Sequence, residues 1–443
     1  MMSEKNFLKA CLYCLLIIFL WAQSPLTAEE VTSSPLSLRQ IVQIALEANL
    51  DVKMSNKEAE AAKYKKNMSR TDFYPTLNAT YQYKRNEREV TSPFVGITVP
   101  KDRYSLVASI TQPLFSGFSI SNQYKMAELN LDLTTSNKKR VRQDVALEAT
   151  KAYFEILKAK KLLDVSKETV NQVSVQTDVV NNFYQVGMSP LNDLLESQVL
   201  LAGATQEVVR TRSHLDIARA YLNVLLRRPI HQSIEIVDML DYKPFEFDLD
   251  FCIETALEKR IELKMSDIEI EMAEKDVQLA KRSYYPTVNL QGSYYRIGDE
   301  WYVDGGEDIG DKDTWDISAV ASWDVWDWGR TSSGTMEKKS RRSQAMLNRS
   351  KTEDSIQFGV TQAYLQMQTS EKNIITVETA IEQAKENVRI NEERYKEQVA
   401  TSTDVLTAQT LYFRTMNNYY RALYDFQIAK ASLYREMGQD SFE

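Results

Sequence analysis

"FYPTLNATYQY" runs from Phe73 to Tyr83, and "YYPTVNLQGSYY" runs from Tyr284 to Tyr295. Pro75 and Pro286 stand 211 positions apart. In the first stretch Leu77, Ala79, Tyr81 and Tyr83 share one parity, and Thr76, Asn78, Thr80 and Gln82 share the other. Such alternation gives a strand one apolar and one polar face. Both stretches interrupt sequence that otherwise reads as long helix. The same two-faced strand is inserted twice.

The offset reaches far beyond these inserts. "LRQIVQIALEANLDVKMS" (Leu38–Ser55) overlays "LDFCIETALEKRIELKMS" (Leu249–Ser266) without a gap, and "FYQVGMSPLNDLLESQ" (Phe183–Gln198) overlays "RYKEQVATSTDVLTAQ" (Arg394–Gln409). This is an internal duplication, too long and too few in copies for a solenoid. With 13 Gly and 10 Pro in 443 residues, turn formers are scarce and long helices are favoured. Each half reads helix, hairpin, very long helix, tip, helix.

An apolar ladder marks the very long helix: Val145, Ala149, Ala152, Ile156, Ala159, Leu163, Ser166, Val170, Val173, Thr177, Val180 and Tyr184. Adding the offset gives a second ladder from Ile356 to Tyr395. Steps alternating between four and three define a seam that supercoils against neighbouring helices. Residues 119–186 contain no proline and would rise about 100 Å as one helix. The segments 37–73 and 190–227 are each about half as long, so two laid end to end match one long helix. The expectation is a rod far longer than a compact domain is wide.

The expected organisation is a signal peptide over 1–28, a first structural repeat over 29–228, a linker over 229–247 and a second repeat over 248–443. Lys5 and Lys9 precede the apolar run Ala10–Ala22, and "LTA" leads to cleavage after Ala28. No Cys stands at the cleavage point to take a lipid, and the run is too short to span a bilayer as a helix. Cys11 and Cys14 leave with the leader, so Cys252 stands alone and reads as a small core residue. Pro229 and Pro244 break the linker's periodicity. Its "SIEIV" reads as a short strand, and the linker as a belt around the rod.

The hairpins carry the functional signal. Their second strands alternate as the first do: Tyr104, Leu106, Ala108 and Ile110 against Ser105, Val107 and Ser109, and Trp315, Ile317, Ala319, Ala321, Trp323 and Val325 against Asp316, Ser318, Val320, Ser322 and Asp324. About ten alternating residues with aromatics near the strand ends fit an outer-membrane barrel. Tyr81, Tyr83, Tyr104, Tyr294, Trp315 and Trp323 form the expected aromatic girdle. Four strands cannot close a barrel, and open edges are not tolerated in lipid. The chain must pool strands with copies of itself. Two copies would give eight strands with a filled interior; three would give twelve and leave room for a pore.

These features resemble the TolC-like outer-membrane channel-tunnel family of outer membrane efflux proteins. The resemblance rests on the paired "YPT" strand starts, on "PLFSG" (Pro113–Gly117) with its counterpart "DVWDWG" (Asp324–Gly329), and on the two tips. It implies a mainly α fold with a membrane β-barrel: a homotrimer whose α-helical tunnel stands in the periplasm below a shared 12-stranded barrel in outer-membrane lipid. It also implies an exit duct, fed by an inner-membrane efflux pump or type I secretion transporter through a periplasmic adaptor.

By the same resemblance, Val186, Gly187, Met188, Ser189 and Pro190 form one tip where adaptor hairpins dock. Gln398, Val399, Ala400 and Thr401 form the other, with Gln398 where the family carries glycine. Asp404 matches the first of two acidic rings that constrict the tunnel entrance, and Thr407 occupies the second position. Asp193 and Tyr395 match links that hold the entrance shut, with Ala400 replacing an assisting arginine. Independently of the resemblance, Gly187 permits a tight reversal and Pro190 can start the returning helix.

The net charge of −8 argues against a nucleic-acid partner. Neither His214 nor His231 sits in a carboxylate or Cys cluster, and there is no phosphate-binding glycine loop, so no catalytic residue, metal or cofactor is expected. The loop Gly298–Asp313 carries seven acids, but their spacing fits no standard calcium loop. Two other readings stay open: a secreted coiled-coil structural or adhesive rod, which would need no alternating hairpins, and a stand-alone porin, which would need no rod.

Overall fold

The structure is a computed structural model that describes residues 35–91, 98–238, 242–306 and 312–439. The expected leader and its cleavage site lie outside the described residues, as do 239–241 of the linker and Glu307, Asp308 and Asp311 of the acidic loop. In chain order the elements are α1 (Leu38–Ala48), α2 (Leu50–Thr71), β1 (Thr76–Arg85), the short β2 (Val90–Thr91) and β3 (Thr98–Val99), β4 (Asp102–Ser116), α3 (Ser119–Gln185) and α4 (Leu191–Leu225). After the linker come α5 (Leu249–Lys259), α6 (Ile261–Ala280), β5 (Thr287–Gly298), β6 (Asp313–Ser322), α7 (Arg330–Lys396) and α8 (Ser402–Glu436).

The duplication is visible element by element. Helices α3 and α7 both have 67 residues, α4 and α8 both 35, and α1 and α5 both 11. Each long helix rises about 100 Å. The apolar ladder is buried or half-buried along both, except that Tyr184 is exposed where its counterpart Tyr395 is buried. Phe183 turns inward in its place, its ring 5.5 Å from that of Tyr395. Among the described residues no helix is long and apolar enough to cross a membrane.

The half-length segment 37–73 is two helices rather than one. Asn49 leaves helical geometry at ψ 139° while its Oδ1 accepts the Asp51 amide at 2.7 Å, so a single residue ends α1 and caps α2. Arg260 makes the same break at ψ 123° in the second half. "SIEIV" forms no strand; Ile236 makes only an isolated parallel bridge to Leu36. The described linker still lies along the rod, where Tyr153 donates to the Val237 carbonyl, Lys161 pairs with Asp238 at 3.0 Å, and Phe245 packs on Tyr364 and Tyr434.

The two hairpins join into one antiparallel sheet in the order β1–β4–β5–β6. Pairing of β4 with β5 ties the first repeat to the second, for example through Ser109 opposite Ser293. Strands β1 and β6 are the sheet's edges. The last strand ends at Ser322, so Trp323–Val325, read as strand from alternation, lie beyond it.

Candidate functional site

Register fixes what each face of the sheet carries. Leu77 lies opposite Ile110, Ala79 opposite Ala108, and Tyr83 opposite Tyr104; Tyr294 lies opposite both Ala108 and Trp315. One face is therefore aliphatic and aromatic from Leu77 to Tyr294 and Trp315, and ends near the hairpin tips in the Arg296–Asp313 ion pair opposite Leu106. The other carries Asn78, Ser109, Ser293 and Asp316 in one transverse row, with Thr80, Gln82, Gln291 and Ser318 nearby. Of the expected girdle residues, Tyr81, Tyr83, Tyr104, Tyr294 and Trp315 share the apolar face, with Tyr83 stacked on Tyr104 at 4.7 Å and Trp315 exposed, and Trp323 is exposed beyond the end of β6.

At the far end of the rod, both tips use one backbone solution. After α3, the Met188 amide donates to the Phe183 carbonyl at 2.8 Å and the Gly187 amide to Tyr184 at 3.0 Å, with Gly187 at φ +77°. After α7, the Val399 amide donates to Arg394 at 2.9 Å and the Gln398 amide to Tyr395 at 3.0 Å, with Gln398 at φ +60°. This is the helix-ending motif that normally selects glycine. The second tip keeps it with glutamine. Val186, Met188 and Val399 are exposed apolar side chains at the extremity, and Ala400 is half-buried.

The returning helices start differently. Pro190 caps α4 without a side-chain bond, and Ser189 Oγ donates to Asp193 at 3.2 Å. Thr401 and Asp404 form a reciprocal capping box on α8: the Asp404 amide donates to Thr401 Oγ1 at 3.2 Å, and Asp404 Oδ2 accepts the Thr401 amide at 2.8 Å. The Thr401 amide foremost, and then the Thr401 hydroxyl donating to the same oxygen at 2.8 Å, hold the Asp404 carboxyl below its ordinary range. Asp404 and Thr407 lie one turn apart, both exposed.

The two tips are fastened side by side. Val180, Leu194, Tyr395 and Val405 form a small core there, and Thr403 Oγ1 donates to Glu196 at 3.1 Å. Burial, then the charge of Asp193, raises the Tyr395 hydroxyl pKa. Tyr395 Oη and Ser402 Oγ are buried without a hydrogen-bond partner among the described residues. Asp193 and Tyr395 are thus brought together. Sequence reading missed Phe183, Leu194 and Ser402, which surround them.

Comparison of the halves exposes a second surface. Phe154 on α3 is 7% exposed because α3 packs on α8, whereas its counterpart Leu365 on α7 is 52% exposed. Leu406 on α8 is 2% exposed, and its counterpart Leu195 on α4 is 51% exposed. The contact between α3 and α8 is covered within the chain; its copy, made of α7 and α4, is left open. Subtracting each residue from its partner 211 places away would have found this surface.

The remaining candidates have structural places. Cys252 is fully buried in the second-half core, and burial pushes its thiol up to about 11. His214 lines a groove of about 600 Å³ between α3, α4 and α8 with Glu155, Lys158, Arg210, Arg421 and Asp425, and His231 is exposed. In the described part of the acidic loop, Asp304 binds Arg296 at 3.0 Å and Lys312 at 3.1 Å. No group of residues suited to hold a metal ion occurs among the described residues.

A duplicated helical rod carrying a two-faced antiparallel sheet at one end is the architecture of the outer-membrane channel-tunnels. The chain belongs to the outer membrane efflux protein family, whose profile matches residues 41–226 and 252–439. It is 23% identical over 380 residues to outer membrane protein TolC of Vibrio cholerae, covering 84% of this chain and 83% of that one. It is 20% identical over 406 residues to the alkaline protease secretion protein AprF of Pseudomonas aeruginosa, covering 88% and 82%. The solved outer membrane channel CmeC of Campylobacter jejuni has the same fold, with a TM-score of 0.82 at 15% identity over 92% of this chain and 87% of that one. The protein is an outer-membrane protein of the efflux and secretion channel class, with its helical tunnel in the periplasm.

Proposed function

We propose that three mature copies assemble head to tail into a passive exit duct, with twelve strands closing one barrel in outer-membrane lipid. The observation that carries this reading is the open copy of a buried contact. A neighbour's α3-like face is already present in every chain as α7, and its α8-like face as α4, so one copy's α7 covers the next copy's α4. Such a heterologous contact closes into a ring when the rotation permits. The same operation brings edge β6 against edge β1 of the neighbour, repeating the β4–β5 pairing and removing both open edges. Three copies satisfy the need for both a closed sheet and a lumen.

In this duct, 29–228 and 248–443 are quasi-equivalent sectors joined by 229–247 after removal of 1–28. The polar strand face lines the exit. Asp404, one per copy, narrows the periplasmic entrance with Thr407 one turn further in, and Asp193 with Tyr395 helps keep the tips together. A periplasmic adaptor docks on residues 186–190 and 398–401 and couples the duct to an inner-membrane transporter, which supplies the energy. The protein conducts and does not catalyse.

The test is purification of the tagged chain from membranes after adaptor cross-linking in cells. The expected result is an outer-membrane trimer that carries an adaptor and its transporter. A stable monomer in detergent, or export that persists after deletion of the chain, would overturn the reading.

A further inference from the structure

The duplication breaks at one level, where each hairpin turns into its long helix. At the first strand-to-helix junction Gly117 and Phe118 take left-handed φ of +61° and +64°. At the second, Trp328 and Gly329 take +56° and +83°. The glycine has changed place. Gly117 is required where it stands, because a Cβ there would lie 2.5 Å from the Arg282 carbonyl oxygen. Its counterpart Trp328 bears a full indole in a conformation that disfavours side chains, and that indole is 88% exposed.

The opposing segments end alike: the Tyr285 amide donates to the Arg282 carbonyl at 3.1 Å, and at the equivalent place the Tyr74 amide donates to the Thr71 carbonyl at 2.9 Å. Around the first junction Phe115, Phe118 and Tyr285 meet edge to face, with centroids 5.2 to 6.3 Å apart. At the matching positions Trp326 meets Trp328 edge-on at 6.0 Å, and Trp326 and Tyr74, which would face each other only across two copies, are both exposed.

We propose that Trp328, together with Trp326, is a wedge between neighbouring copies at the barrel–tunnel junction, seated against residues 71–74 of the next copy. The inference rests on the head-to-tail assembly and deepens it. Strict repetition would bring the Trp328 Cβ as close to the neighbour's Thr71 carbonyl as a Cβ at Gly117 would come to Arg282. The copies therefore stand farther apart here than the two halves of one chain do, and the indoles fill the gap. A second copy is the occupant because the wedge lies on the segment leading from β6, the open edge that needs a neighbour, into α7, and because at the equivalent place in the chain the opposing segment packs closely enough to require glycine.

Full-length protein carrying a benzoyl-phenylalanine photoprobe at position 328 is irradiated in membranes, and its native mass is measured separately in detergent. The expected result is a three-chain mass with cross-links mapping to residues 71–74 of another copy. Trp328→Gly should release subunits about ten-fold faster than Trp328→Phe, which keeps the aromatic wedge. A three-chain mass with the probe captured only by lipid would overturn the wedge and leave the assembly standing. Equal dissociation of the two variants would also overturn it, and a one-chain mass would overturn the assembly and the wedge together.

Discussion

Replacing Gly187 separates the strain of a tip from its proposed use as a docking surface. Gly187 sits at φ +77°, and a Cβ built there meets no atom within 4 Å. The cost of any side chain is therefore the backbone conformation alone, about 1 kcal/mol. Gln398 shows that the chain tolerates this, since it holds the same turn at φ +60°. Gly187→Ala should accelerate hydrogen exchange at the Met188 amide about five-fold while leaving the trimer and export intact. Gly187→Arg carries the same strain plus a long cation at the extremity, and should abolish export and adaptor cross-linking from Ser189 with the trimer unchanged. Gln398→Gly should slow exchange at the Val399 amide, by less than five-fold because glycine also loosens the unfolded chain. Export lost already in Gly187→Ala, or retained in Gly187→Arg, would refute the reasoning that the tip acts by contact rather than by shape.

Asp404→Asn preserves an acceptor for the Thr401 amide and removes the charge, so reconstituted channels should lose cation preference and block by multivalent cations, read as reversal potential and conductance; unchanged selectivity would assign Asp404 to capping alone. Arg435, buried, binds Asp144 at 2.6 Å and Glu262 at 2.8 Å, so Arg435→Met should lower unfolding stability by about 3 kcal/mol in denaturant titration. Hydrogen bonds from Lys125 and Lys66 lower the Glu128 carboxyl to about 2. Its folded pKa lies below the unfolded value, so its contribution is complete above about 4.5 and fades as pH falls toward about 2, which side-chain NMR titration should report.

The rod and its duplication were legible because helical periodicity and proline placement are local, and because one offset carries all the helices and the four long strands. The strands were legible for the same reason, up to Ser322. Beyond it the alternation of Trp323 and Val325 continues without partners, and pairing rather than pattern ends a strand. The break at Asn49 was hidden because the apolar pattern runs through it, while the signal lies in one side-chain cap. Pairing of β4 with β5 joins residues far apart in sequence and leaves no local mark. The absence of glycine at Gln398 leaves the turn in place, and the capping box that Asp404 makes with Thr401 is a local side-chain contact that its position alone did not reveal. Phe183 was passed over for Tyr184, since a ladder stepping by three and four cannot register where a helix unwinds.

The central claim is that copies of this chain pair edge to edge as its own two halves do. Within the chain Ser109 lies opposite Ser293, and the same register between copies sets Val320 opposite Gln82 of the neighbour. The direct measurement is oxidation of a Gln82→Cys, Val320→Cys double variant in outer membranes, read by denaturing gel against each single variant. The account predicts a covalent ladder that ends at three chains for the double variant and none for either single. Contradiction would be a double variant that stays at one chain when position 318, 320 or 322 carries the second cysteine, or a ladder that runs past three.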